Sequence, residues 1–181
     1  IQPQPLDYEP DGTLDLERVA AAIKPDDPHF ARTRLLCLEN TQGGKALPMA
    51  YLELAHDFAR GRRLSLHLDG ARVFKAAVYL GENVAEMTKK FDSIQFCFSK
   101  GLGAPVGSMI VGSRDFIEHG RVLRKILGGG MRQVGVLAAA ALVALEEGPK
   151  RLHVDHENAQ LLAQGLAQIP GIGVQPDKVQ T

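Results

Sequence analysis

Ser99-Lys100-Gly101-Leu102-Gly103 follows the apolar run Ile94-Gln95-Phe96-Cys97-Phe98. That order sets Lys100 at the end of a buried strand, at the mouth of a turn of small residues, Gly101, Gly103, Ala104 and Gly107. Glycine has no Cβ, so a flat ligand can approach such a turn closely. In an apolar, backbone-walled site a lysine loses part of its preference for the ammonium form, which favours Schiff-base chemistry. An isolated Ser-Lys-Gly is ordinarily a surface lysine at a strand end, and two other segments alter that balance.

The first is Leu66-His67-Leu68-Asp69-Gly70-Ala71-Arg72, a strand that delivers an acid, a small pair and then an arginine at a helix start. One helical stretch, residues 71–91, and one strand, residues 93–98, separate Asp69 from Lys100. In a parallel α/β sheet that connection returns both residues to the same carboxyl edge, where ligands bind. Pyridoxal phosphate enzymes need a carboxylate against the pyridine nitrogen, so that the protonated ring can accept electrons. Asp69 is suited to that role, and equally to capping the next helix. The second segment, Arg124-Lys125-Ile126-Leu127-Gly128-Gly129-Gly130-Met131-Arg132-Gln133, sets three glycines among cations. Unobstructed N–H groups there suit an anionic group, although a lone glycine triplet is usually a hinge.

The elements that must position these residues alternate. Helical spacing marks residues 14–23, with Thr13 or Asp15 able to cap, and a charged loop covers residues 24–28. A buried strand at residues 34–38 leads to a turn at Gln42-Gly43-Gly44. Pro48 opens a helix that Gly61 stops. Residues 64–68 form a strand, residues 71–80 and 84–91 helices, and residues 94–98 a strand. A short link then makes the strand at residues 106–111 antiparallel to its predecessor. Residues 115–127, 131–146 and 151–168 read as helices. The alternation specifies an α/β fold with a mostly parallel sheet flanked by helices.

HLDGARVF (67–74), SKGLGAPVGS (99–108) and RKILGGGMRQVGVLAAA (124–140), with PDDPHFARTRLLCLENT (25–41), together resemble the low-specificity L-threonine aldolases. The resemblance runs from about residue 1 to residue 173. It implies the large domain of the aspartate-aminotransferase-like fold, pyridoxal phosphate fold type I. Residues 1–150 would be part of that cofactor-binding domain, and residues 151–181 the start of the connection to a small C-terminal domain. The family's phosphate-binding helix start and ring-stacking side chain would precede Ile1, and its small domain would follow Thr181, so the chain is expected to be partial at both ends.

The implied function is cleavage of L-threonine and L-allo-threonine to glycine and acetaldehyde with pyridoxal 5'-phosphate. Lys100 would carry the cofactor, Asp69 would hold its ring nitrogen protonated, and Arg72 would contact the ring's phenolic oxygen or the substrate carboxylate. His29 would lie near the substrate hydroxyl. Lys125 and Arg132 would reach a neighbouring subunit's site, making the complete protein a homodimer or homotetramer. Two alternatives stand: another pyridoxal-phosphate β-eliminating lyase, and a non-catalytic product that keeps the sheet but not the cofactor.

Composition agrees. The 181 residues are 45% apolar, and 21 Lys+Arg balance 21 Asp+Glu, so nothing biases the chain toward nucleic acid or an anionic membrane. Cys37 and Cys97 fall in strands expected to be buried, where cysteine behaves as a small hydrophobe, and two such thiols suit a reducing compartment. The longest apolar tract, residues 134–145, is too short to span a membrane. No signal peptide is visible, so a cytoplasmic location is expected. His153 and His156 sit three apart at metal-ligand spacing, but with no partner cluster they read as a solvated helix face, and no metal is expected.

Overall fold

The computed structural model describes all of residues 1–181. Four strands, β1 (Leu35–Glu39), β2 (Ser65–Asp69), β3 (Ser93–Cys97) and β4 (Ser108–Gly112), form one sheet in sequence order. The first three run parallel and β4 is antiparallel to β3, as the short link requires. Helix α1 (Leu16–Ala22) precedes the sheet, α2 (Met49–Gly61) joins β1 to β2, and α3 (Val73–Leu80) with α4 (Val84–Thr88) joins β2 to β3. After β4 come α5 (Arg114–Ile126), α6 (Gly135–Glu147), a 3-10 turn at Pro149–Arg151, α7 (Leu152–Leu166) and a second 3-10 turn at Pro176–Lys178.

Period-two alternation divides the sheet into two faces. Leu36, Leu38, Leu66 and Leu68 turn inward and pack with Leu52, Ala55 and Ala59 of α2 and Val73, Ala76 and Ala77 of α3 in one core of 17 buried residues. On α2 those three follow helical spacing, so a single stripe meets the sheet. Asp15 caps α1, its carboxylate accepting from the Glu17 N–H at 2.8 Å.

Several expectations are corrected. Pro48 is the cap of α2 rather than its first residue, and the helix runs through Gly61. The left-handed residue after it is Arg63, at φ 56°. Helix α3 begins at Val73 because Asp69–Arg72 is occupied by a turn, and α6 begins at Gly135, not 131. Cys37 is exposed and Cys97 half-buried. Both lie on the sheet face opposite the leucine core, because their strands alternate and only one face carries the α1–α4 layer. No helix is long and apolar enough to cross a membrane.

Candidate active site

The parallel register brings three strand ends to one edge. Glu39 of β1 pairs with Asp69 of β2, and Asp69 with Gln95 of β3, so Asp69 is the middle of a row. Behind it lies the row Cys37, His67 and Ser93 on the same face. The Asp69 carbonyl accepts from the Asn40 N–H at 2.9 Å, and the Gly70 N–H donates to the Gln95 carbonyl at 2.7 Å. These bonds lock the end of β2 to both neighbours. Oδ1 of Asp69 accepts from the Ala71 N–H at 3.1 Å, which is an Asx turn into α3. The bond closes a turn ahead of α3 and does not cap the helix, which has no side-chain cap, and it leaves Oδ2 without a protein partner. Arg72 is the N-cap residue of α3 and exposed.

Lys100 leaves the end of β3 in a tightly closed turn. The Phe98 N–H donates to the Gly107 carbonyl at 3.0 Å, the Ala104 N–H to Phe98 at 2.9 Å, and the Gly103 N–H to Lys100 at 2.9 Å. Gly103 adopts φ 86°, a left-handed conformation that costs an ordinary side chain 1–2 kcal/mol or so. Lys100 is exposed, and neither it nor Arg72, Lys125 or Arg132 takes part in any of the chain's ion pairs. Arg72 and the base of this turn share the wall of a small cavity with Lys75, Cys97, Gly101 and Leu152.

Two expectations about the glycines are corrected. A Cβ on Gly101 would meet Lys75 Cε at 2.8 Å and Leu152 Cδ2 at 3.1 Å. Its bareness therefore serves packing beneath the turn rather than the approach of a ligand from outside. In the triplet, the Gly128 N–H donates to the Lys125 carbonyl at 3.1 Å and the Gly129 N–H to the Arg124 carbonyl at 2.8 Å. Those are the bonds of a Schellman helix end, with Gly128 at φ 85°. Only the Gly130 amide is left without a backbone partner. Lys125 itself folds back over Gly130, whose added Cβ would meet Lys125 Cδ at 2.5 Å.

His29 stays local. Its Nδ1 lies 2.7 Å from Asp27 Oδ1, which also accepts the His29 N–H at 2.8 Å. These bonds hold the Asp27 carboxyl below its usual pKa. Asp69, Arg72 and Lys100 thus share one edge, while His29, Lys125 and Arg132 stand on loops and on α5 with no bond to that edge. His156 packs edge-on against Tyr79 with ring centroids 5.8 Å apart, and no group of three metal-ligating side chains exists.

Sequence reasoning missed the company Asp69 keeps. Burial, then the charges of Glu39 and Asp69, push the Tyr8 hydroxyl above its usual pKa. Cys37, exposed on this face, is raised by partial desolvation and by the charge of Asp69. His67 is lowered chiefly by desolvation, against the opposing pull of Asp69, and its Nδ1 lies 2.8 Å from Ser93 Oγ. Strand alternation could have placed Cys37 and His67 on Asp69's face. No local signal could have brought Tyr8 there.

A family model described as beta-eliminating lyase matches residues 1–181. The low-specificity L-threonine aldolase of Escherichia coli (strain K12) is 55% identical over 168 residues, covering 93% of this chain and 50% of that protein. Low-specificity L-threonine aldolase 1 of Arabidopsis thaliana is 50% identical over 188 residues, covering 100% of this chain and 52% of its own. A crystal structure from Exiguobacterium sp. 255-15, described as a candidate aromatic amino acid beta-eliminating lyase/threonine aldolase, superposes with TM-score 0.78 at 30% identity, over 92% of this chain and 46% of that one. The chain spans about half the length of the curated relatives it matches.

Proposed function

We infer, for a chain that belongs to the beta-eliminating lyase family over residues 1–181, that the edge bearing Asp69, Arg72 and Lys100 binds pyridoxal 5'-phosphate and cleaves L-threonine and L-allo-threonine to glycine and acetaldehyde. The observation that carries this reading is chemical. One strand edge gathers an amine without an ion pair, a carboxylate with a free oxygen and an unpaired guanidinium, and that donor set fits the group. When bound, the cofactor supplies an electron sink for the carbanion left by Cα–Cβ cleavage.

Each residue then has a task. Lys100, whose amine carries no ion pair, would hold the cofactor. Asp69, with one carboxylate oxygen fixed by the Ala71 N–H and the other without a protein partner, would keep the ring nitrogen protonated. Arg72 orients the substrate carboxylate or the ring's phenolic oxygen. By likeness to the family, His29 would serve the substrate hydroxyl although here it is held locally by Asp27, and Lys125 and Arg132 would act across a subunit contact in a homodimer or homotetramer. Residues 1–150 form part of the cofactor-binding domain and residues 151–181 lead toward a second one. The complete enzyme works on free amino acids in the cytoplasm, in threonine catabolism and glycine formation.

The test has two arms. Borohydride reduction with the cofactor present should leave the pyridoxyl mass on the peptide containing Lys100, and threonine should yield acetaldehyde. Label on Lys75 or Lys125 overturns the assignment. Because the matching family is described by β-elimination, a β-substituted alanine is the comparison substrate, and pyruvate with ammonia from it in place of acetaldehyde from threonine would favour that chemistry.

A further inference from the structure

The turn carrying Lys100 rests on a floor that the proposed chemistry does not use. Lys75, on α3, runs beneath Gly101, with its Cε and Cγ at 2.8 and 3.2 Å from where a Cβ on that residue would stand. Its Nζ is held by Asp155 Oδ2 of α7 at 2.8 Å, and its side chain is only 17% exposed. Leu152, at the first turn of α7 and 1% exposed, closes on the same glycine. Beside them Gly148 lies so near Leu102 that an added Cβ would meet its carbonyl oxygen at 2.7 Å. Two helices far apart in sequence are therefore clamped through one ion pair directly under the turn.

We propose that Lys75 and Asp155 are positioning residues for Lys100. Their ion pair spans α3 and α7 and fixes the height and direction of the turn from which Lys100 projects. The role assigned to Lys100 rests on the function proposed above; the mechanical part does not. A bare Gly101 lets the Lys75 methylenes bear directly on the turn backbone. Asp155 in turn fixes where those methylenes lie, because a lysine stem has little preferred geometry until its ammonium is held. A loosened turn lets the amine sample directions away from Asp69 and Arg72, and a misplacement of about 1 Å can cost on the order of 100-fold in rate.

The experiment uses the full-length protein with Lys75→Met, the near-isosteric Asp155→Asn, and the charge-keeping pair Lys75→Arg with Asp155→Glu, which retains both the stem beneath Gly101 and the ion pair. Amide hydrogen exchange is read on the peptide covering residues 98–107 and, as an internal control, on α2. Either single variant should speed exchange in the turn about fivefold with α2 unchanged. It should also slow borohydride-trapped pyridoxyl labelling of Lys100 and lower kcat with little change in KM. The charge-keeping pair should retain a good part of all three. Unchanged exchange in the turn, equal loosening of turn and α2, or a charge-keeping pair as loose as the single variants overturns the proposal. Label on a different lysine with the exchange pattern as expected removes the catalytic reading and leaves the clamp standing.

Discussion

The two ends of the sheet are built on different terms. Around β1 and β2, α1 to α4 close over the inward leucines, and Leu66 and Leu68 are 1% and 0% exposed. Around β4 every residue is exposed, α5 buries none of its side chains, and α6 buries only Ala144. Yet α6 reads GVLAAAALVALEE, apolar on nearly every side, a composition suited to burial. The difference separates the candidate site residues by what holds them. Asp69, Arg72 and Lys100 spring from strands and a helix start tied into the chain's own core or to its floor. Lys125 stands in the last turn of α5 and Arg132 in the loop before α6, where this chain supplies little packing.

If that division is real, the largest effect falls on chemistry and not on stability. Lys100→Ala should reduce acetaldehyde release by at least about 1000-fold while leaving the urea midpoint within the range of a neutral surface change, about 0.5 kcal/mol. Residual turnover near that of the parent enzyme would remove Lys100 from the site. Next in size is the core itself. Leu68→Ala should cost about 2–5 kcal/mol, whereas Leu142→Ala on α6, where Leu142 is 60% exposed, should cost about 0.5 kcal/mol or less. Equal losses in equilibrium unfolding would mean that both ends of the sheet are supported alike.

The same division marks what the sequence could disclose. The order of elements, the parallel run with one antiparallel strand, and the meeting of Asp69, Arg72 and Lys100 at one edge follow from short-range signals. Apolar runs, turn residues and the crossover rule suffice for them. Boundaries slipped where side chains compete with the helix pattern, as when the Asp69–Ala71 turn delays α3 until Val73. The burial of Cys37 was misjudged because an apolar run says that a strand is covered, not on how many faces. The purpose of Gly101 and of the glycine triplet was misread for a related reason. Glycine announces that something comes close; only the packed structure shows Lys75 beneath Gly101 and a helix end closing at Gly128.

A middle-sized effect probes how the covered end is tied to β3. Asp92 accepts the Leu66 N–H at 2.7 Å and pairs with Arg60 at 2.9 Å, joining α2, β2 and the start of β3. Partial desolvation pulls the other way, yet these bonds hold its carboxyl below the usual pKa. Asp92→Ala should destabilise by about 1–3 kcal/mol, since it strands a backbone donor at the strand entrance. A depressed carboxyl stabilises the fold at neutral pH and loses that contribution as pH falls through its folded pKa. The variant should therefore unfold less steeply with acid than its parent, and parallel acid-unfolding curves would count against the tie.

The smallest effect tests the open face beside Asp69. His67 is half-buried there against Ser93, with its pKa lowered chiefly by desolvation from the ordinary 6.5. Between that lowered value and 6.5 the unfolded chain binds more protons at this residue than the folded one. Stability therefore rises with pH across the window, and the contribution is lost as pH drops below about 6.5. His156, also lowered by desolvation, adds a slope of the same sign from the far side of α3. His67→Gln keeps a hydrogen-bonding side chain for Ser93 and cannot titrate. It should flatten the dependence of the urea midpoint between pH 7.5 and 5.5 without abolishing it. A slope equal to the parent's would show that the face behind Asp69 is as well solvated as the exposed helices, and would leave Asp69 with no desolvated titratable neighbour on its own strand.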